Sequence, residues 1–195
     1  MQWAIDTAFD LWQMSHPPRI QKIATTDCQQ CQKPAPGWVK CNVDASFFDG
    51  DRTGATGVVL RDHDGRTCGG SAKWYEHSLN VLPTEALVCR DGMQYAKERG
   101  VRKLLVETDC QVLVELWENR TTQRSEIDPV LFQMTELNWS FEYFSLCFVS
   151  RTCNILAHEC ARLVSRENPV GEWLITPPGL RDLVVSDCNA AHDLI

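Results

Sequence analysis

The chain has 195 residues, enough for one domain with a substantial hydrophobic core, and its 44% hydrophobic and 23% charged content is ordinary for a globular protein. No apolar run approaches the roughly 20 residues that span a bilayer, and the amino terminus, acidic before any Lys or Arg, is unlike a secretory signal or a transit peptide. The net charge of −7 argues against strong non-specific binding of nucleic acid, unless cations screen the carboxylates.

Cysteine usage indicates a reducing compartment, either the nucleus or the cytosol. Most of the ten cysteines stand singly within apolar patterns, where Cys behaves as a small hydrophobic residue. Cys28 and Cys31 form a CxxC pair, but no second pair is spaced to complete a structural zinc site. We therefore expect no zinc site, no secretory or transmembrane segment and no membrane partner.

The predicted elements divide the chain into three segments. Residues 1–36 are predicted as a short amphipathic helix, over 1–14, followed by a polar linker. Residues 167–195 are predicted as a tail that packs on the domain surface. Residues 37–166 are the main domain, with predicted strands at 38–47, 55–61 and 66–73, a helix at 83–99, a strand at 101–107, helices at 111–118 and 127–137, a strand at 141–149 and a helix at 154–165.

The element order β-β-β-α-β-α-α-β-α predicts an α/β (α+β) domain with one mixed five-stranded sheet and helices packed on it. Short turns join the first three strands into an antiparallel meander, and strand-helix crossovers follow. Because such crossovers are right-handed, we expect the first strand at the centre of the sheet, beside the fourth.

The first strand carries an acid that needs an explanation. Strict alternation turns Lys40, Asn42 and Asp44 away from the face that buries Cys41 and Val43. An unpaired carboxylate at the tail of an otherwise buried strand is costly to desolvate. Taken alone, Asp44 could be a turn acid that only ends the strand.

Two further acids are predicted to meet Asp44. Asp109 follows the fourth strand, which runs parallel to the first, and Glu85 lies in the predicted first turn of the crossover helix. Taken singly, Asp109 could be a helix N-cap and Glu85 a partner of the helix dipole. Three carboxylates within a few ångströms repel one another unless hard divalent cations, Mg²⁺ or Mn²⁺, offset their charge. Two such ions can clamp the attacking and leaving oxygens of a phosphodiester.

The local sequences around these acids carry a resemblance to a known family. In this order along the chain, the blocks resemble those of type 1 ribonuclease H, and more closely the plant reverse-transcriptase-like ribonuclease H domains, many of them related to non-LTR retrotransposons. The resemblance spans about residues 37–166. The blocks are Asn42-Val-Asp44-Ala-Ser46, Gly54-Ala-Thr-Gly57-Val-Val-Leu-Arg61-Asp, Thr84-Glu85-Ala86, Glu107-Thr-Asp109-Cys-Gln111 and Asn154-Ile-Leu-Ala157-His158.

The resemblance implies a fold, a reaction and a set of site residues. It implies a sheet of order 3-2-1-4-5 with strand 2 antiparallel and helices on both faces. It implies hydrolysis of the RNA strand of RNA/DNA hybrids through two Mg²⁺ ions, with Mn²⁺ as a substitute. Asp44 matches the metal-bridging aspartate, and Glu85 and Asp109 match the second and third metal-binding acids. The candidate substrate contacts are Ser46, Gln111, Arg151 and Asn154, and the resemblance implies that Gln111 lies in the minor groove of the hybrid.

The chain departs from the family pattern at the fourth catalytic acid, where it has His158. Imidazole is a poorer Mg²⁺ ligand than carboxylate, so weaker binding of the second ion and impaired turnover are expected. His158 could equally be a half-buried helix residue. The loop before it lacks the family's histidine and offers Arg151 for phosphate contact. Some relatives have a basic segment, the basic handle, that grips the substrate. This chain lacks it, and the nearest substitute in the sequence is the set Arg99, Arg102 and Lys103.

These observations lead to one hypothesis and two alternatives. The hypothesis is a ribonuclease H-type endonuclease, a monomer that binds RNA/DNA hybrid or other nucleic acid. The first alternative is a catalytically weak or inactive binding or interaction module derived from a retrotransposon. The second is a structural remnant without a nucleic-acid role, joined to partners through residues 1–14 or the tail.

Overall fold

The computed structural model describes residues 32–77 and 80–189. The strands are β1 Val39–Phe48, β2 Thr53–Arg61, β3 Thr67–Tyr75, β4 Lys103–Thr108, β5 Tyr143–Phe148 and β6 Val170–Trp173. The helices are α1 Val81–Glu98, α2 Gln111–Glu118, α3 Asp128–Asn138, α4 Ile155–Ala161 and α5 Arg181–Asn189, with short 3₁₀ turns at Arg151–Cys153 and Pro178–Leu180.

The predicted helix over 1–14 and the Cys28–Cys31 pair lie outside the described residues. Within the described ranges, none of the helices combines the length and the hydrophobicity that crossing a bilayer requires.

The strands form one mixed sheet in the order β5-β4-β1-β2-β3-β6. The central strand β1 is antiparallel to β2 and parallel to β4, and β5 is parallel to β4. The predicted order 3-2-1-4-5 with strand 2 antiparallel is therefore confirmed. The predicted number of five strands is wrong, because β6 adds a sixth strand antiparallel to β3.

The sixth strand arises within the segment predicted as a tail. It is only four residues long and follows Pro169, so the sequence carries little strand signal there. Its place depends on Gly70, because a Cβ at that position would lie 2.7 Å from the Trp173 ring. The ring can pack across β3 because Gly70 has no side chain.

Helices cover both faces of the sheet, as predicted. One face packs on α1, α2 and α3 and forms the larger core, which includes Cys41, Val43, Val58, Leu60, Met93 and Leu104. The other face packs on α4 and on the carboxy-terminal segment, and its smaller core contains Ala55, Val59, Ala72, Leu156, Cys160, Ala161, Val164 and Leu180. Lys40, Asn42 and Asp44 therefore lie on the α4 side of β1, as the alternation predicts.

Two helix starts differ from the prediction in a way that affects the acids. Asn80 caps α1 by accepting a hydrogen bond from the Leu82 amide, so α1 begins at Val81 and Glu85 lies in its second turn. Cys110 is the N-cap of α2, and no side chain caps that helix. Asp109 is therefore not a helix cap, and Glu85 is not in the first turn of its helix.

Candidate active site

Three carboxylates from three elements meet at one end of the sheet. The parallel register of β1 and β4 pairs Asn42 with Glu107. Asp44 lies two residues after Asn42, and Asp109 lies two residues after Glu107, so the two acids are neighbours. Glu85 reaches the same place from α1. One carboxylate oxygen from each of the three acids lies within 4.8 Å of the others. The structure thus brings together the residues that the sequence predicted as a metal-binding set.

Burial makes this cluster electrostatically costly. Asp44 is 3% exposed and Glu85 is 6% exposed. Burial, followed by the charges of Asp44 and Asp109, raises the pKa of Glu85 from 4.5 to about 9. Burial also raises the pKa of Asp44 from 3.8 to about 6, although a hydrogen bond to His158 opposes the rise. Without a bound cation, Glu85 therefore keeps its proton at neutral pH.

A divalent cation fits the donor set. Glu85 Oε2 is buried and has no hydrogen-bond partner among the described residues, which is costly for a carboxylate oxygen. Carboxylate oxygens are the ligands that Mg²⁺ and Mn²⁺ prefer, and an ion here would satisfy this oxygen and offset the mutual repulsion.

His158 lies against the acids from the α4 side. Its Nδ1 is 2.9 Å from Asp44 Oδ2, and its side chain is 29% exposed. The approach of α4 depends on Gly57, the cross-strand partner of Asp44. A Cβ at Gly57 would lie 2.2 Å from the Ala157 carbonyl oxygen and 2.4 Å from the Ala161 nitrogen. The missing side chain therefore lets the helix pack close enough for the imidazole to reach Asp44.

Two of the predicted substrate contacts follow an acid along the chain, and a third lies in the turn before α4. Ser46 is half-buried and lies two residues beyond Asp44 on the same face of β1. Gln111 is exposed at the start of α2, where its Nε2 donates to Glu115 Oε1 at 2.9 Å. Arg151 is exposed in the 3₁₀ turn before α4, and its charge acts to lower the pKa of both Asp44 and Glu85.

Asn154 contacts the protein itself. It is 1% exposed, its Nδ2 donates to the Val43 carbonyl oxygen at 2.8 Å, and the same nitrogen lies 3.5 Å from Asp109 Oδ1. The side chain therefore ties the start of α4 to β1 and reaches one of the acids. Its predicted contact with substrate stays a prediction.

The sequence did not identify a set of buried polar residues next to the acids. Lys40 and Arg61 are fully buried, and Glu107 is 8% exposed. Asn42 donates to Glu107 Oε2 at 2.9 Å and accepts from the Arg61 guanidinium at 2.9 Å. The alternation along β1 placed Lys40 and Asn42 on the same face of the sheet as Asp44. The sequence around Arg61 and Glu107 did not indicate that these two partners would also be buried.

The basic residues considered as a substitute for the handle are not close to the acids. Arg102 and Lys103 stand at the amino end of β4, whereas Asp109 follows its carboxyl end. Arg99 pairs with Glu172, and Arg102 with Glu142. Lys103 lies over the Tyr143 ring at 5.3 Å. These cations have partners within the protein, at the other end of the sheet.

Comparison with known proteins agrees with this architecture. A family model described as reverse transcriptase-like matches residues 42–164. The N-terminal RNase H domain of a Mycobacterium tuberculosis protein, solved as a fusion with maltose-binding protein, has a TM-score of 0.59 at 18% identity, over 64% of this chain and 91% of that one. RNase H1 of the halophilic archaeon Halobacterium salinarum has a TM-score of 0.58 at 20% identity, over 64% and 95% of the two chains.

A third similar structure contains nucleic acid. LC11-RNase H1 in complex with an RNA/DNA hybrid has a TM-score of 0.58 at 12% identity, over 65% of this chain and 95% of that one. No curated protein matches this chain. At these identities the likeness establishes the RNase H fold.

Proposed function

The chain belongs to the reverse transcriptase-like family, and on this premise we propose that it is a ribonuclease H-type endonuclease acting on the RNA strand of RNA/DNA hybrids. The observation that carries the proposal is the convergence of Asp44, Glu85 and Asp109 within 4.8 Å, with a buried Glu85 oxygen that lacks a partner among the described residues. Such a cluster can hold a cation, and a cation held by carboxylates is suited to phosphodiester chemistry.

In this proposal the three acids hold Mg²⁺ or Mn²⁺. The bound cation would stabilise the negative charge that develops on the phosphodiester oxygens during hydrolysis. Arg151, exposed beside the acids, would contact a substrate phosphate. Ser46 and Gln111 would contact the hybrid next to the scissile bond, where recognition depends on duplex shape and on 2′-hydroxyl groups.

His158 competes with a cation for one oxygen of Asp44. Its ring nitrogen lies 2.9 Å from Asp44 Oδ2, so a cation that bound this oxygen would weaken or displace the contact. A second ion would therefore bind weakly, and turnover would be slow. This contact favours a second candidate function, a catalytically weak or inactive module that binds nucleic acid.

The wider setting of the function is also part of the proposal. A plant, retrotransposon-related origin rests on the motif blocks of the sequence. A location in the nucleus or the cytosol rests on the cysteines, most of which stand singly within apolar patterns of the sequence.

A labelled RNA/DNA hybrid tests the two candidates together. We expect slow cleavage of the RNA strand in Mg²⁺ and faster cleavage in Mn²⁺, because Mn²⁺ accepts an imidazole ligand more readily. The matched control is Asp44→Asn, which keeps the side-chain shape and removes the charge.

The result assigns one of the two functions or neither. Cleavage by the wild type that the variant loses supports the nuclease. Hybrid binding without cleavage in either metal ion supports the binding module. Equal cleavage by the wild type and Asp44→Asn contradicts the nuclease assignment, and no binding at low salt with Mg²⁺ present contradicts both functions.

A further inference from the structure

A layer of charged and amide side chains lies buried next to the three acids, on the side of the sheet that α4 covers. Lys40, Asn42 and Arg61 are fully buried, and Asn154 and Glu107 are 1% and 8% exposed. Burying a lysine and an arginine is costly, and apolar residues of similar volume often serve stability at least as well. These residues therefore point to a role other than stability.

The charged residues of this layer fix the orientation of the Asn42 amide. Its oxygen accepts a hydrogen bond from the Arg61 guanidinium at 2.9 Å, and its NH₂ group donates to Glu107 Oε2 at 2.9 Å. Lys40 Nζ lies 3.3 Å from the same Glu107 oxygen and holds that carboxylate in place. Turning the amide over would set its NH₂ group against the guanidinium and its oxygen against the carboxylate, which is electrostatically unfavourable.

A second amide takes its orientation from the first. The Asn42 NH₂ group also faces Asn154 Oδ1, at 3.4 Å. The NH₂ group of Asn154 must then point the other way, where it donates to the Val43 carbonyl oxygen at 2.8 Å and lies 3.5 Å from Asp109 Oδ1. The contacts of 3.4 and 3.5 Å are long for hydrogen bonds. Each nevertheless sets a donor against an acceptor, and so each selects one of two amide orientations.

We propose that Asn42 and Asn154 form an amide relay that orients the Asp109 carboxylate to receive a divalent cation. The relay starts at Arg61 and Glu107, passes through the two amides and ends at Asp109 Oδ1. An N–H group facing this oxygen restricts rotation of the carboxylate, so less reorganisation remains when a cation arrives. Asn42 and Asn154 are positioning residues in this scheme. The inference rests on the proposed function, because it requires a cation at the acids.

Mn²⁺ affinity, measured by titration calorimetry, tests the relay without any measurement of cleavage. Side chains that orient metal ligands typically contribute ten- to hundredfold to metal affinity. We expect Asn42→Leu and Asn154→Leu each to weaken Mn²⁺ binding by about tenfold. Because the two amides act in series, the double variant is expected to bind Mn²⁺ no more weakly than the weaker single variant.

The control is Thr56→Val, which removes a different buried hydrogen bond. Thr56 is 1% exposed and its hydroxyl donates to the Lys73 carbonyl oxygen at 3.3 Å, outside the relay. Mn²⁺ affinity in this variant is expected to equal that of the wild type. Unchanged affinity in either leucine variant, or losses that add in the double variant, would overturn the relay.

A measurement on the wild type keeps the proposal testable if the leucine variants do not fold. In a Mg²⁺ titration followed by NMR, we expect the side-chain NH₂ resonances of Asn154 and Asn42 to shift. Those of Asn119 should stay unchanged, because Asn119 is exposed and donates to the Glu115 carbonyl oxygen in α2. Saturation of the acids without movement of the Asn154 resonance would refute the relay.

These results separate the relay from the nuclease assignment. Hybrid cleavage with no response of the two amides would remove the relay and leave the nuclease in place. A response of the amides to Mg²⁺ without cleavage would support the relay and remove the nuclease. No binding of Mn²⁺ or Mg²⁺ would overturn both.

Discussion

Replacing Glu85 with Gln removes one ionisable group from the acid cluster and keeps its shape. Glu85 is 6% exposed, and burial together with the Asp44 and Asp109 charges raises its pKa from 4.5 to about 9. Because the folded-state pKa lies above the unfolded value, the folded protein retains a proton that the unfolded chain has released. In the metal-free protein, the contribution of Glu85 to the free energy of unfolding is therefore highest below pH 4.5 and falls as the pH rises toward 9.

The size of the effect follows from that interval. At ~1.4 kcal/mol per pH unit, the rise from pH 4.5 to pH 7 lowers the free energy of unfolding by about 3 kcal/mol. A glutamine amide has no such proton to lose. In EDTA, Glu85→Gln is therefore expected to be about 3 kcal/mol more stable than the wild type at pH 7, and equally stable near pH 4.5.

Urea denaturation of both proteins between pH 4.5 and pH 9, first in EDTA and then in Mn²⁺, measures this difference. Mn²⁺ should raise the stability of the wild type more than that of the variant, because the variant has lost a ligand. Glu118→Gln, at an exposed position of α2, is the control for removing a glutamate elsewhere. Parallel pH profiles of the wild type and Glu85→Gln in EDTA would refute the electrostatic account of the cluster.

Three further changes probe the surroundings of the acids. His158→Asp supplies a fourth carboxylate, so calorimetry should show tighter binding of Mn²⁺, and hybrid cleavage should be faster; an unchanged or lower rate would contradict the role given to His158. Gly57→Ala sets a methyl group 2.2 Å from the Ala157 carbonyl oxygen, so urea denaturation should show a free energy of unfolding that is lower by about 3 kcal/mol or more. The control Gly50→Ala should change it little, because a Cβ there would have nothing within 4 Å. Leu180→Ala empties a site that is 2% exposed in the smaller core and should cost about 3 kcal/mol; a loss below ~1 kcal/mol would mean that the carboxy-terminal segment adds little to that core.

The sequence was sufficient to predict the central sheet and the meeting of the acids. Alternation along β1 identified the buried face, and right-handed crossovers placed β4 beside it, so that Asp44 and Asp109 had to be neighbours. The predicted start of α1 at residue 83 is two residues too late, because proline is common at the first position of a helix. The helix begins at Val81 and accommodates the proline within its first turn, where its missing N–H costs no hydrogen bond.

The rest depends on contacts between distant parts of the chain. The strand β6 is short and pairs with β3 about a hundred residues earlier, so no local pattern indicates it. Arg61 ends a strand next to a turn, where a surface position is the ordinary expectation. It is instead fully buried, and its guanidinium donates to the Asn42 side-chain oxygen at 2.9 Å.

The added strand also has a consequence for how the domain behaves when it is shortened. β3 is a nine-residue strand, and along Gly70–Lys73 its outer backbone groups pair with β6. A fragment cut at residue 164, where the family match stops, would lack β6 and leave the outer backbone groups of β3 unpaired. Another extended chain could then pair with β3, which is a known route to self-association. Fragments that keep residues through 189 are therefore expected to stay monodisperse at concentrations where the shorter piece precipitates.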